Sequence, residues 1–179
     1  AVAVLTDMSS PLGYAIGNWV EIKECIEIMN PKLEKSQHSK DLIDVTLYLA
    51  GAMLMLAGKC KSIEEGMNLS EEKLASGECF EKFIALVEMQ GGNSELIKSP
   101  ENYPKAKLSD SITADSAGYV AGLDALTFGL AAVNLGCGRK TVEDKIDYSS
   151  AIILNKKIGD EVNSGEVICS IHGETQAKV

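Results

Sequence analysis

The chain has 179 residues, 45% of them hydrophobic, which is enough to bury the core of one ordinary domain or of two small ones. It carries 17 Lys and Arg residues against 26 Asp and Glu residues, a formal net charge of -9 at pH 7. This charge would repel a phosphate backbone, so the composition argues against broad binding to nucleic acids or to anionic membranes.

The five cysteines are far apart and include no C-x-x-C pair. An odd number at such spacings predicts neither a disulfide framework nor a zinc site, and a reducing, cytoplasmic location fits it best. The opening AVAVLTDM has no basic region or cleavage site, so it does not indicate a signal peptide. Residues 42–57 form the most apolar run, which contains Asp44 and is shorter than the roughly 20 residues that span a bilayer. They predict a buried helix and no membrane contact.

The first elements in chain order are a strand and an interrupted helix. Residues 1–5 are apolar and contain valine, which predicts a buried strand. Apolar residues then recur every three or four positions as far as Met29, with helix-start signals at Ser10-Pro11 and at Asn18 with Glu21. Gly17 lies between the two signals, at a position that commonly ends a helix. The pattern predicts a one-turn helix at 11–15, a break at Gly17 and a longer helix at 19–29.

Three helices are predicted after a polar loop at 30–40. Asp41 would cap the first, and the capping box of Ser62 and Glu65 would begin the second, which ends near Gly77. The predicted bounds are 41–58, 62–77 and 78–90. Residues 93–109 contain two of the four prolines and no periodic pattern, which predicts a domain boundary or a crossing loop.

The last third of the chain reads as a small α+β unit. One helix at 125–135 would be capped by Asp124 and closed by Gly136. Strand-like runs surround it, the last of them folded around the turn NSGE. The predicted strand regions are 111–120, 151–154 and 162–171.

The double helix start predicts a site for a cation. If the first piece ends near Ala15, the backbone oxygens of Leu12 and Ala15 lack partners within the helix and lie at its partly negative end. Glu24, one turn beyond the occupied Glu21, is predicted to have no partner of its own, so it would add a carboxylate and complete an oxygen-lined cage for a hard cation. The alternative at this stage is that these carbonyls bond water or other amides and that Glu24 faces solvent.

Other polar residues suggest weaker sites. His38 and His172 have no partners at ligand spacing, so neither is predicted to be catalytic or to bind a metal. Arg139 follows LGCG and would suit an anion, but a turn with a solvated arginine is the favoured interpretation because no phosphate-loop motif is present. Lys156 and Lys157 are predicted to be a solvated strand end.

The segment KKIGDEVNSGEVICSIH looks like the hairpin of a biotinyl or lipoyl carrier domain. In those carriers the modified lysine follows the turn, whereas both lysines precede it here. A carrier or binding module therefore remains the alternative function, without support for a swinging arm.

Five stretches together resemble the pyrimidine-nucleoside phosphorylase family, including its thymidine phosphorylase branch: TDMSSPLGYAIGN with WVEIKE, LASGECFEKF with MQGG, AGYV, LGCGRKTVEDKID and LNKKIGDEVNSGEVICSIH. The resemblance implies an α/β fold, the C-terminal part of a central mixed-sheet α/β domain followed by a small α+β, barrel-sandwich-like C-terminal domain. The implied divisions are residues 1–92, a connecting loop at 93–109 and residues 110–179. The related anthranilate phosphoribosyltransferase architecture is a third possibility, but it lacks such an appended C-terminal unit.

The resemblance implies a pentosyltransferase that reversibly cleaves pyrimidine nucleosides with inorganic phosphate, releasing the base and a pentose 1-phosphate. The family's phosphate loop and the residues that read the pyrimidine have no counterpart here. Family members carry them ahead of the region that this chain matches, together with the helical domain that forms a homodimer. The chain is therefore expected to be a truncated or proteolysed portion that is inactive alone.

The family's cation site maps onto the backbone oxygens of Leu12 and Ala15 and the carboxylate of Glu24. The resemblance implies potassium at this place, or calcium in its stead, with the remaining ligands supplied by the missing phosphate loop. Trp19 departs from the small residue that is usual in the family, but it is not one of the implied ligands.

Overall fold

The computed structural model describes residues 1–33 and 39–175. The helices are α1 (Asn18–Met29), α2 (Lys40–Leu56), α3 (Ile63–Ser76), α4 (Glu78–Met89), α5 (Ser94–Lys98) and α6 (Ala125–Leu135), with a 3₁₀ turn at Pro100–Asn102. The strands are β1 (Ala15–Ile16), β2 (Leu108–Thr113), β3 (Gly118–Tyr119), β4 (Ala151–Leu154), β5 (Glu161–Val162) and β6 (Val167–Gly173).

The chain forms two compact units. The first unit comprises Ala1–Thr6 and Lys23–Tyr103, and the second comprises Asp7–Ile22 and Pro104–Val179. In the part of the first unit that the structure describes, the regular structure is helical, and antiparallel strands with one full helix, α6, build the second unit. This composition confirms the predicted α/β fold class. The predicted domain bounds at 92 and 110 concern the domains of a family member and stay a prediction.

Helices α2 and α3 of the first unit approach closely at two glycines. A Cβ atom on Gly51 would lie 2.5 Å from the backbone oxygen of Ile63, and one on Gly66 would lie 2.6 Å from the oxygen of Gly51. Since any side chain would clash there, glycine permits this spacing. The predicted start of α3 is confirmed, because the Ser62 side chain accepts a hydrogen bond from the Glu65 amide at 3.1 Å.

Helix α2 is present as predicted, but its prediction as a buried helix is wrong. Only Gly51 and Ala52 are buried in it, while Met53 is 64% exposed and Leu56 is 56% exposed. Its N-cap position is held by Ser39 instead of Asp41. Within residues 1–33 and 39–175, no helix combines the length and the apolar character that crossing a bilayer requires.

The second unit is built on a four-stranded antiparallel sheet in the order β1-β4-β6-β2, with β3 and β5 paired separately. Helix α6 contributes to a core that also contains the inward side chains of the central strands. Its members are Leu123, Ala132, Leu135, Ile152, Leu154 and Cys169. The bounds of α6 are as predicted: Asp124 accepts from the Thr127 amide at 2.7 Å, and Gly136 ends the helix at φ 107°.

Three local predictions need correction. Residues 1–5 form no strand, since neither described sheet includes them and an unpaired strand leaves its backbone groups without partners. The division between the two units, after Tyr103, falls within 93–109 as predicted, but this segment is not a loop throughout, because Asn93 caps α5, a helix too short to show a period. The strands and turn predicted at 162–171 are present, but they form no simple hairpin, because β5 pairs with β3 while β6 pairs with β4 and β2.

Candidate functional site: the segment that carries Leu12 and Ala15

The segment 7–17 belongs to the second unit and consists of bends followed by the short strand β1, with no helical turn. The predicted one-turn helix at 11–15 is wrong because Gly13 has φ 67°, outside the right-handed helical region, and Ala15–Ile16 pair with β4. Asp7 shapes the start of the segment by accepting from the Ser9 amide at 2.8 Å and the Ser9 hydroxyl at 2.9 Å. These hydrogen bonds lower the pKa of Asp7.

Pairing with β4 orients the backbone oxygens of this segment. The Leu154 amide donates to the Tyr14 oxygen at 2.8 Å, and Ala15 is the next residue in the ladder, opposite Ile153. Because hydrogen bonding alternates along an antiparallel ladder, the Ala15 oxygen points away from β4. Strand β1 is the outer strand of its sheet, so this oxygen lies on the outer edge.

The break at Gly17 is confirmed, but the capping residue is Gly17 and not Asn18. The Gly17 amide donates to Glu21 Oε1 at 3.1 Å, and the Asn18 side chain instead donates to the Cys137 oxygen at 2.5 Å. Gly17 has φ 143°, and a Cβ atom there would lie 2.7 Å from the Ser150 oxygen. Glu21 therefore accepts a capping hydrogen bond, as predicted, but from Gly17 and not from Asn18. A cavity of about 280 Å³ lies beside this helix start.

Glu24, the third predicted ligand, belongs to the first unit and is only 7% exposed. Its Oε1 accepts a hydrogen bond from the hydroxyl of Ser39, which is 1% exposed, at 2.8 Å. The alternative that Glu24 faces solvent is wrong, and so is the expectation that its carboxylate has no partner. Leu12, Ala15 and Glu24 all supply oxygen, the donor that hard cations take. Their assembly into one site stays a prediction, since Leu12 and Ala15 lie in the second unit.

The other polar residues considered in the sequence analysis form no metal cluster where the structure describes them. His38 lies outside the described residues, and His172 is half-buried in β6, where burial lowers the pKa of its imidazole. Across residues 1–33 and 39–175, no group of three or more His, Cys, Asp or Glu side chains is placed to hold a metal ion. Arg139 is exposed after α6, as predicted. All five cysteines are described, and no disulfide joins them.

The prediction that Lys156 and Lys157 are solvated is wrong. The Lys156 ammonium is 2.5 Å from Glu166 and donates to the Glu161 oxygen at 2.9 Å. The Lys157 ammonium donates to the Pro11 oxygen at 2.6 Å and lies 5.0 Å from the centre of the Tyr14 ring. Both amines are engaged, which further disfavours the carrier alternative because a carrier presents its lysine on an exposed tip.

A hydrogen-bonded turn centred on Asp147 escaped the sequence analysis. Its carboxylate accepts from the Ser149 hydroxyl at 2.8 Å and from the hydroxyl of the fully buried Ser150 at 2.6 Å. Burial raises the pKa of Asp147, but these and two amide hydrogen bonds outweigh it and leave the pKa lowered. The sequence DYSS carried the signal, since Asp commonly accepts from residues two and three positions on.

Comparison with known proteins shows which sequences the chain resembles. Residues 1–80 match the model described as glycosyl transferase family, a/b domain, and residues 119–179 match that of the pyrimidine nucleoside phosphorylase C-terminal domain. The chain is 41% identical over 175 residues to pyrimidine-nucleoside phosphorylases of Staphylococcus aureus strains USA300, NCTC 8325 / PS 47 and N315. Each alignment covers 98% of the chain and 39% of the relative. The chain is therefore similar to pyrimidine-nucleoside phosphorylases over nearly its whole length, and it spans about two fifths of the length of these relatives.

Proposed function

We propose that the chain is part of an enzyme that reversibly cleaves pyrimidine nucleosides or deoxynucleosides with inorganic phosphate, giving the free base and a pentose 1-phosphate. The observation that carries this proposal is the 41% identity over 98% of the chain to enzymes named pyrimidine-nucleoside phosphorylase. The two matched domain models, in their order along the chain, support it independently. We further propose that the whole enzyme is a cytoplasmic homodimer whose dimer contacts lie in its remaining part.

The contribution of this chain would be to hold a potassium ion, or calcium in its stead, through the backbone oxygens of Leu12 and Ala15 and the carboxylate of Glu24. The outward orientation of the Ala15 oxygen and the burial of Glu24 support this role. When bound, the ion would supply positive charge beside the phosphate-binding part of the enzyme. Charge placed in advance is effective there because the transition state is stabilised without reorganisation.

The test is a chimera in which this chain replaces the matching residues of the Staphylococcus aureus relative. We expect the chimera to release base from thymidine or uridine in the presence of phosphate, with a rate that rises with potassium concentration. Glu24→Gln should raise the potassium concentration for half-maximal rate by about tenfold or more, since it removes a charged ligand. Glu27→Gln is the matched control, because Glu27 lies on the same helix and pairs with Lys23.

A chimera that is folded and soluble but releases no base would contradict the proposed enzyme. A chimera whose rate is the same whether or not potassium or calcium is present would contradict the proposed ion alone.

A further inference from the structure

Two backbone oxygens, one before and one after the proposed ligand Leu12, each accept a hydrogen bond from a residue more than a hundred positions away. The Pro11 oxygen accepts from the Lys157 ammonium at 2.6 Å, and the Tyr14 oxygen accepts from the Leu154 amide at 2.8 Å. The Lys157 ammonium also lies 5.0 Å from the centre of the Tyr14 ring, where a cation is attracted to the aromatic face. One side chain thus contacts the segment on both sides of Leu12.

Lys157 is itself held by a short turn. Its amide donates to Asp160 Oδ2 at 2.7 Å, and the Asp160 amide donates back to the Lys157 oxygen at 3.1 Å. Gly159, at φ 93°, closes the turn and donates to the Val120 oxygen at 2.9 Å. The ammonium is therefore presented from a backbone whose own hydrogen bonds fix its position.

Three observations indicate that β1 is held weakly by its own ladder. The strand is two residues long, it lies at the edge of its sheet, and Gly13 just ahead of it adopts a left-handed conformation. A short edge strand contributes few ladder hydrogen bonds and opens easily. The ladder bond to Tyr14 orients the Ala15 oxygen, and the contact at Pro11 restrains the segment on the other side of Leu12.

We propose that Lys157 is a positioning residue that holds the segment Pro11–Ala15 in the conformation required to present the backbone oxygens of Leu12 and Ala15 to the cation. The inference rests on the proposed function for the identity of the ligand, but its structural part is independent of any ion. Lys157 touches neither substrate nor phosphate in this scheme. It acts only through the backbone that it anchors.

Hydrogen exchange tests the structural part on the 179-residue chain without added potassium. We expect Lys157→Met to speed exchange of the amides in residues 12–16 by about tenfold or more, because it removes a charge-assisted hydrogen bond that restrains their opening. Lys156→Met is the matched control: it deletes the same charge one residue away, but Lys156 bonds Glu161 and Glu166 and not this segment. Lys157→Arg retains a donor and a cation and should keep most of the protection.

Exchange that is unchanged in Lys157→Met would overturn the proposal, as would equal acceleration in Lys156→Met. If Lys157→Met does not fold, which far-ultraviolet circular dichroism would show, Lys157→Gln is measured in its place with the same two outcomes.

The functional part is tested in the chimera with the Staphylococcus aureus relative. Lys157→Met should raise the potassium concentration for half-maximal rate by about tenfold, while kcat at saturating potassium stays within about twofold. Lys156→Met should leave both values unchanged. If the chimera depends on potassium but Lys157→Met leaves its half-maximal potassium concentration unchanged, the role of Lys157 is overturned. If the rate of the chimera does not depend on potassium, the proposed cation is overturned, and the structural part of the inference rests on hydrogen exchange alone.

Discussion

At the scale of single residues, Asp147 shows how one carboxylate organises a turn. It accepts four hydrogen bonds from Ser149 and Ser150, and Ser150 is 0% exposed. The same turn is tied to α6, because the Asp147 amide donates to the Gly136 oxygen at 2.9 Å. The carboxylate is therefore needed in its ionised, accepting form.

We expect Asp147 to make the unfolding free energy of the chain depend on pH. The hydrogen bonds hold the pKa of Asp147 below its usual value of 3.8, so the stabilisation is complete above pH 3.8 and is lost as the pH falls through the lower, folded value. Asp147→Asn should abolish this contribution. Urea unfolding of both proteins over a pH series measures it.

The control for this pH series is Asp110→Asn, which changes an exposed carboxylate on β2. If the difference between Asp147→Asn and the parent chain is the same at every pH, the ionised carboxylate is not the stabilising form.

At the scale of elements, the two-glycine contact between α2 and α3 sets the geometry of the first unit. The backbone of each helix lies where the other's side chain would be, with Gly66 facing Gly51. Close packing of this kind gains dispersion energy from many backbone atoms and tolerates no added volume.

We expect Gly66→Ala to lower the unfolding free energy by about 1–3 kcal/mol, because its methyl group would lie 2.6 Å from the Gly51 oxygen and the helices must separate. Gly129→Ala is the matched control, since Gly129 is also helical but has open space around it. The unfolding free energy of Gly129→Ala should rise by about 0.5–1 kcal/mol, because alanine has the higher helix propensity. Urea unfolding followed by circular dichroism compares the two, and equal effects would mean that the close contact does not form.

At the scale of the whole molecule, the chain covers 39% of its relatives, and the resemblance assigns the phosphate loop and the pyrimidine-reading residues to the remainder. In the proposed phosphorolysis, most of the rate enhancement would come from positioning the phosphate and from stabilising the charge that develops on the departing base. On the proposed function, this chain would contribute ligands for one cation, and the remainder of the enzyme would supply the reactive half of the cleft.

We therefore expect the 179-residue chain to release no base from thymidine or uridine with phosphate. Ultraviolet absorbance follows the free base, and the Staphylococcus aureus relative, assayed in parallel, shows that the conditions support turnover. Base release by the isolated chain, proportional to its concentration and abolished by unfolding it, would contradict the assignment of the catalytic groups to the remainder.

Sequence patterns predicted the elements whose signals are local. Ser62 with Glu65, Asp124 with Thr127, and Gly136 act within one helical turn, so their bounds were predicted within a residue or two. Short elements without a full period were missed, as α5 shows. The candidate site was predicted only in part. The predicted helix at residues 11–15 is absent, although Leu12 and Ala15 remain the proposed ligands.

The sequence by itself determined the helix caps at Ser62 and Asp124, the breaks at Gly17 and Gly77, strand β4 and the family that the chain resembles. Only the tertiary structure decided that residues 15–16 form a strand, that Lys157 bonds Pro11 and that Glu24 is buried against Ser39. The physical reason is range. A cap or a turn is determined by a few hydrogen bonds between neighbouring residues. A contact between residues 146 positions apart forms only where the fold of the intervening chain brings them together.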